Sequence, residues 1–464
     1  MFFGNEATDK NIFEALQEDL IGRNSDIKRF INLVDALGGG RSIAIDGTWG
    51  SGKTFFVKQC KMALDAMNPV CKMPEIMWEE YSEEKPIEDE HLRSIISKQV
   101  GDLGDNSLAE SCFTVYFDAW ENDSEVDPLI SLVYSIACDI SEEYVFDDDP
   151  SCKTIAADII EMITGRDIGK LIDHLRGNNS VSVVKESRQL RDKINQFLDS
   201  LSYERGNRVL IIIDELDRCK PVYAIKTLER IKHYFNHKNI NYVFSVNLAQ
   251  LEQTVKTCYG QTFDAGKYLD RFFDIRISLP PAKTDNFYTK IGIDNGSYIY
   301  EKSCLDVARY FNMSLREITK YYQTTRIAAY NRTHSNNTFM GGFEQGTWFA
   351  LIVIVPFLIA LRMTDNNEYN AFVAGESSGR LIECIDSSEF LKKWITEKYI
   401  GRDEKGKFPE EEYKQITQEA YEAIFLNKYD KVNYVQVYDI EFGRDQKDEI
   451  IRRVSCFSND VCLD

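Results

Sequence analysis

Ile43-Ala44-Ile45-Asp46-Gly47-Thr48-Trp49-Gly50-Ser51-Gly52-Lys53-Thr54 is the stretch that decides the fold class. A short β-branched run leads into a complete G-x-x-x-x-G-K-T pattern. Behind it Phe56, Val57, Cys60, Ala63, Leu64 and Met67 recur at helical spacing. Strand, glycine-rich turn and amphipathic helix in that order make a phosphate-binding loop. The glycines let backbone N–H groups wrap a β-phosphate, and Lys53 brings a point charge to the β- and γ-phosphates. The Thr54 hydroxyl can take a position on Mg²⁺, and the helix N-terminus adds its dipole. Gly47, Thr48, Trp49, Gly50, Ser51, Gly52, Lys53, Thr54 and Phe55 form the expected nucleotide-binding set.

Four further runs read as buried strands: Phe113–Phe117, Val209–Ile213, Tyr242–Val246 and Ile275–Leu279. They are continuous rather than alternating, as parallel strands covered on both faces are. Helical patterns lie between them, including one that Pro221 can open, with Ile225, Leu228, Ile231 and Phe235 on one face. The expected class is an α/β sheet of five parallel strands under helices. Val209–Ile213 ends in Asp214 and Glu215, which supply the acidic half of a nucleotide site. Asp214 can hold Mg²⁺, and Glu215 can polarise an attacking water. Three weaker candidates follow. Asn247 ends the fourth strand and can orient water or serve as an ordinary turn residue. Arg271 precedes the fifth strand and can act as a finger in a neighbouring subunit's site or cap a helix. Arg316 opens a later helix and can reach a γ-phosphate from a lid.

The rest of the composition bounds the alternatives. The chain has 464 residues, 43% hydrophobic, which allows two or three domains with a full core. Its net charge of −20 argues against a broad nucleic-acid clamp, which needs a basic stripe to release counterions. Eleven cysteines without a C-x-x-C pair point to a reducing, cytoplasmic compartment and not to a disulfide framework or zinc ribbon. The first residues, Met1 to Glu6, lack a secretory pattern. Trp348–Leu361 is an unbroken apolar run, shorter than the roughly 20 residues of a spanning helix, and is expected to be a buried helix. His233 and His237, four apart, are a metal pair only if a third ligand exists; exposed helix histidines are the simpler reading. Cys112 and Cys219 are expected to be buried thiols.

Residues 1–280 are expected to be the sheet domain and 281–464 a helical lid and C-terminal domain. Two insertions interrupt the first. One, about 70–108, contains the acid-rich stretch Glu75–Glu90 and reads as a solvated insertion. The other, about 122–208, shows helical patterning around Pro128–Ile140 and Lys185–Leu201, with an Asp147-Asp148-Asp149-Pro150 break.

GTWGSGKT, the strand end Val209–Cys219 (VLIIIDELDRC), Phe117–Asp123 (FDAWEND) and Tyr268–Pro280 (YLDRFFDIRISLP) together resemble the KAP family of P-loop NTPases over residues 15–330. The D-x-L-D-R element of Asp214, Leu216, Asp217 and Arg218 is the most specific of these. The resemblance implies an AAA-like division fold with strand order 5-1-4-3-2. It also implies an F-x-A-W segment after the second strand (Phe117, Ala119, Trp120) and an adenine-side lead-in at Leu20-Ile21-Gly22-Arg23. Asn247 stands where an acid is expected, and Glu215 where Asp is frequent. Many members carry paired transmembrane helices within the domain, and none is visible here. Bacterial members similar to this chain are linked to phage exclusion, in which nucleotide state governs assembly or an effector.

The reading is therefore an ATP- and Mg²⁺-dependent hydrolase that acts as a switch on a protein partner, assembled as a homo-oligomer. Two alternatives stand beside it: a nucleic-acid-handling motor or loader, disfavoured by charge, and a scaffold that holds ATP without hydrolysing it.

Overall fold

Val209, Ile211 and Ile213 bury against one hydrophobic layer and Leu210 and Ile212 against another, so a single strand feeds two cores on opposite faces of its sheet. That is the pattern of a parallel strand covered on both sides. The computed structural model describes residues 6–80, 83–101, 111–125, 127–143, 150–164, 180–204, 208–235, 237–291, 298–333, 344–400, 411–426 and 433–455. The Asp147–Asp149 break falls outside them. The chain divides into two compact units, one of Glu6–Asn286 and one beginning at Phe287.

In the first unit the order is α1 (Asp9–Gln17), α2 (Asn24–Leu37), β1 (Ser42–Asp46), α3 (Lys53–Met67), β2 (Met77–Glu80), β3 (Glu83–Pro86), α4 (Asp89–Val100) and β4 (Cys112–Asp118). It continues with α5 (Pro128–Glu143), α6 (Pro150–Thr164), α7 (Ser180–Glu204), β5 (Arg208–Asp214), α8 (Pro221–Tyr234), β6 (Ile240–Val246), α9 (Leu248–Tyr259), α10 (Ala265–Leu269) and β7 (Ile275–Ser278). The large sheet runs β4-β5-β6-β1-β7 and all its pairings are parallel. Counting only its five strands in chain order and starting from β7, this is 5-1-4-3-2, the order the resemblance implies.

Register brings the strand ends into line. Asp118 pairs with Asp214, Asp214 with Ser245, and Asp46 with Val246. One edge of the sheet thus gathers the carboxylates that the sequence scatters over about 170 positions. β7 differs from its neighbours: as an edge strand it buries no residue fully.

The acid-rich insertion contains an antiparallel hairpin, β2 with β3, pairing Met77 with Pro86 and Glu80 with Glu83. Glutamate is a poor strand former, so composition gave no sign of it. Behind the hairpin, Arg93 closes the C-terminus of α3 by donating to the carbonyls of Asp65 (3.0 Å), Ala66 (3.0 Å) and Asn68 (2.9 Å). The far end of the loop-bearing helix is thereby fixed.

Among the described residues the second unit is mainly helical, with one hairpin of Tyr434–Val437 and Ile440–Gly443. Its apolar run lies in a continuous helix, longer than the run itself. Gln345–Thr364 spans 20 residues, long and apolar enough by length and composition to cross a membrane. Length therefore does not separate the two readings of this segment. Burial distinguishes this helix: 78% of its apolar window is covered, by helices that include Ile299–Tyr310 and Leu315–Thr333. A π-helical turn, Ala350–Ile354, precedes Pro356. Proline has no N–H to offer the Ile352 carbonyl four residues back, and the Ser303 hydroxyl donates to that carbonyl instead.

Candidate nucleotide site

The loop after β1 is shaped by its glycines. Gly50 (φ 78°) and Gly52 (φ 86°) occupy the left-handed region. At Gly47 a Cβ would meet Ser51 Oγ at 2.8 Å. Gly52 precedes the first turn of α3 and brings no side chain to cap it, so the turn keeps its capacity to bind an anion. Lys53 opens that helix, and its ammonium donates to the carbonyls of Gly47 (2.6 Å) and Thr48 (3.3 Å). It is buried, and burial lowers its pKa, opposed by the charges of Asp217, Asp214 and Glu215. From behind, the buried guanidinium of Arg23 donates to the Ser51 carbonyl (2.9 Å) and the Pro280 carbonyl (2.5 Å), tying the loop to the exit of β7. Burial pulls the Arg23 pKa down to about 10.

Opposite the loop stands the tip of β5. Asp214 is fully buried. Its carboxylate accepts from the Tyr116 hydroxyl (3.0 Å) and from the backbone N–H of Glu215 (2.9 Å). Burial raises its pKa, while the hydroxyls of Ser245, Thr54 and Tyr116 pull the other way. Glu215 is left-handed at φ 60°, a backbone position that costs a side-chain-bearing residue about 1–2 kcal/mol. One carboxylate oxygen accepts from Thr54 Oγ1 at 3.4 Å and the other is ion-paired with Arg218 Nε at 2.5 Å. Burial first, then the charge of Asp214, pushes the Glu215 pKa up to about 7 against the counter-pull of Arg218. Asp217 completes the wall. The indole N–H of Trp49 donates to its Oδ2 at 2.7 Å, and its Oδ1 is buried without a hydrogen-bond partner.

A family model described as the KAP family P-loop domain matches residues 23–327, about two thirds of the chain. The chain belongs to the KAP family of P-loop NTPases. A search of curated proteins returns no match. Membership points to nucleotide binding and hydrolysis as the chemistry of the site. The KAP match extends past the sheet unit into the helices of the second one, as far as Ile327.

Within this KAP domain the structure joins Lys53, Thr54, Asp214 and Glu215 in one cluster. The other three candidates stand differently. Asn247 is the N-cap of α9, its side-chain oxygen accepting from the Gln250 N–H at 3.2 Å. Arg271 is exposed at the turn before β7, and no described hydrogen bond or ion pair joins it to the cluster. Arg316 belongs to the second unit, exposed in the first turn of helix Leu315–Thr333. That turn is held by a reciprocal cap: the Ser314 N–H donates to Glu317 at 2.8 Å and the Glu317 N–H to Ser314 Oγ at 3.4 Å.

The histidine reading needs correction. His237 lies beyond the end of α8, buried and paired with Asp199 at 2.9 Å, because α8 stops at Tyr234. Of the two, only His233 is an exposed helix residue. Cys112 and Cys219 are buried and burial pushes both thiols up, as expected of inert cysteines. Among the described residues no group of three His, Cys, Asp or Glu side chains could hold a metal by itself. A Mg²⁺ site here would be completed by substrate oxygens and water. Sequence reasoning missed Tyr116, Trp49 as a hydrogen-bond donor, and Arg23 as a brace. Asp217 and Arg218 were visible only as parts of a motif, with no role attached.

Proposed function

We propose that the protein is a Mg²⁺-dependent ATP hydrolase working as a molecular switch. The observation that supports it is the meeting, across the loop after β1 and the tip of β5, of the Lys53 ammonium, the Thr54 hydroxyl and the carboxylates of Asp214 and Glu215. The residues fit a triphosphate and its metal. Ser51 Oγ and Asp217 Oδ1 are buried oxygens without partners, and the space at Gly47 is one a Cβ would fill. Thr54 and Asp214 would hold Mg²⁺, whose contribution when bound is Lewis-acid neutralisation of phosphate oxygens. Lys53 exchanges loop carbonyls for β- and γ-phosphate oxygens. Glu215 orients the attacking water and accepts its proton, for which its raised pKa suits it near neutral pH. The Asn247 side chain, with its oxygen used in the cap, retains an amide N–H₂ to orient the same water.

Arg271, exposed, suits a finger offered to a neighbouring copy in a homo-oligomer. Arg316 suits a γ-phosphate reader in the helical unit, through which nucleotide state would reach a protein partner. The net charge of −20 supports a protein partner over nucleic acid, and a cytoplasmic setting suits the buried free thiols. The phage-exclusion role implied by the family resemblance is one use of such a switch.

The test is hydrolysis and particle size of the purified protein with ATP, ADP and DNA. ATP turnover that is lost in Lys53→Ala, with assembly that follows ATP and ignores DNA, is the expected result. Turnover unchanged by Lys53→Ala refutes the assignment, and DNA-stimulated, salt-sensitive turnover refutes the switch in favour of a motor.

A further inference from the structure

Both oxygens of Glu215 are already committed before any substrate arrives. Oε1 accepts from Thr54 Oγ1 at 3.4 Å and Oε2 is ion-paired with Arg218 Nε at 2.5 Å. Those two holds differ in what substrate does to them. The Thr54 hydroxyl is the group expected to turn to the metal, so binding undoes that contact by itself. The Arg218 pair is instead braced by the protein. Its guanidinium lies 5.4 Å from the ring centroid of Trp120, and its backbone N–H donates to the Glu215 carbonyl at 3.1 Å. Trp120 is in turn placed by the end of β4: Ala119 N–H donates to the Asp214 carbonyl and Trp120 N–H to the Asp118 carboxylate, both at 3.0 Å. Half of Trp120 remains open to solvent, at 52% exposure.

We infer that Arg218 is a positioning residue that restrains Glu215, keeping basal hydrolysis slow, with Trp120 as the backstop that holds the guanidinium in place. This rests on the reading of Glu215 as the water-activating base. A carboxylate oxygen paired with a guanidinium is occupied and turned away from any other donor. Freed from Arg218, Glu215 has an oxygen for the water. The exposed face of Trp120 makes the restraint adjustable from outside the site, because moving the indole removes one of the guanidinium's two supports.

The experiment measures steady-state ATP turnover and binding of a fluorescent ATP analogue, with Mg²⁺, for wild type, Arg218→Gln, Arg218→Lys, Trp120→Ala and Glu215→Gln. A restraint predicts that Arg218→Gln raises kcat by about three- to tenfold with KM and binding unchanged. Arg218→Lys falls between it and wild type, and Trp120→Ala rises less. The gain must vanish when Arg218→Gln is combined with Glu215→Gln. A kcat equal to or below wild type in Arg218→Gln, with binding intact, overturns the proposal. If Arg218→Gln fails to fold, Trp120→Ala decides by the same criterion: a raised kcat supports the restraint, and an unchanged or lower one overturns it. Wild-type turnover in Glu215→Gln removes the base and the restraint together. An inactive Glu215→Gln beside an Arg218→Gln no faster than wild type removes the restraint alone.

Discussion

The loop at 47–54 and the turn at 214–218 make up two sides of one site by opposite means. The loop is set by backbone: glycines at positive φ, a close approach at Gly47, and an ammonium resting on its own carbonyls. The turn is set by side chains: a left-handed Glu215 pinned by Thr54 and Arg218, and an Asp217 pinned by Trp49. The backbone of such a loop is ready for its ligand as it stands, with only the Lys53 ammonium to be exchanged from two loop carbonyls. A side-chain-built turn has to exchange partners before it can act, and that makes it the natural place for control.

The largest effect expected from that contrast is at Glu215. Glu215→Gln should lower kcat by about 100-fold or more while leaving ATP binding near wild type, since a positioned base typically contributes 10²–10⁴. Loss of binding in parallel would mean that the turn, like the loop, holds the ground state. Trp49→Phe keeps an aromatic side chain but removes the indole N–H, leaving both oxygens of a buried Asp217 without a donor. It should destabilise the protein by about 1–3 kcal/mol, read as a lowered denaturation midpoint. Gly50→Ala should cost about 1 kcal/mol through its φ of 78° alone, with nucleotide binding weakened in step.

The last effect concerns pH. The Glu215 pKa rises from 4.5 to about 7 on folding, so the native state holds this proton more tightly than the unfolded one. Its contribution to stability is therefore full below 4.5 and is lost as pH rises through about 7. Without nucleotide, the wild type should lose melting temperature between pH 5 and pH 8, and Glu215→Gln should lose less over the same interval. An identical loss in both would place the titration elsewhere.

How much could be read from the sequence follows the same division. The loop, its Lys53 and Thr54, and Asp214 at a strand tip are local patterns, and the structure places each beside the others. The five strands were recognisable because residues buried on both faces leave unbroken apolar runs. Their order came from the resemblance, since parallel pairing leaves no local trace. What stayed hidden depends on partners far apart in the chain: Trp49 with Asp217, Tyr116 with Asp214, Arg23 with Pro280. Arg218 and Glu215 are only three apart, yet their pairing was not read, because it depends on the left-handed turn at a non-glycine residue. The π-turn before Pro356 is a comparable case. The proline was visible, but the Ser303 hydroxyl that compensates for it was not.

Calorimetric titration of ATP into the wild type, Lys53→Ala and Asp214→Asn, each with Mg²⁺ and with EDTA, tests the central claim most directly. Wild type should bind, and bind more tightly with Mg²⁺. Asp214→Asn should lose most of that Mg²⁺ dependence, and Lys53→Ala should bind at least about tenfold more weakly, the equivalent of 1.4 kcal/mol. Equal affinity in all three proteins, indifferent to Mg²⁺, would contradict the account.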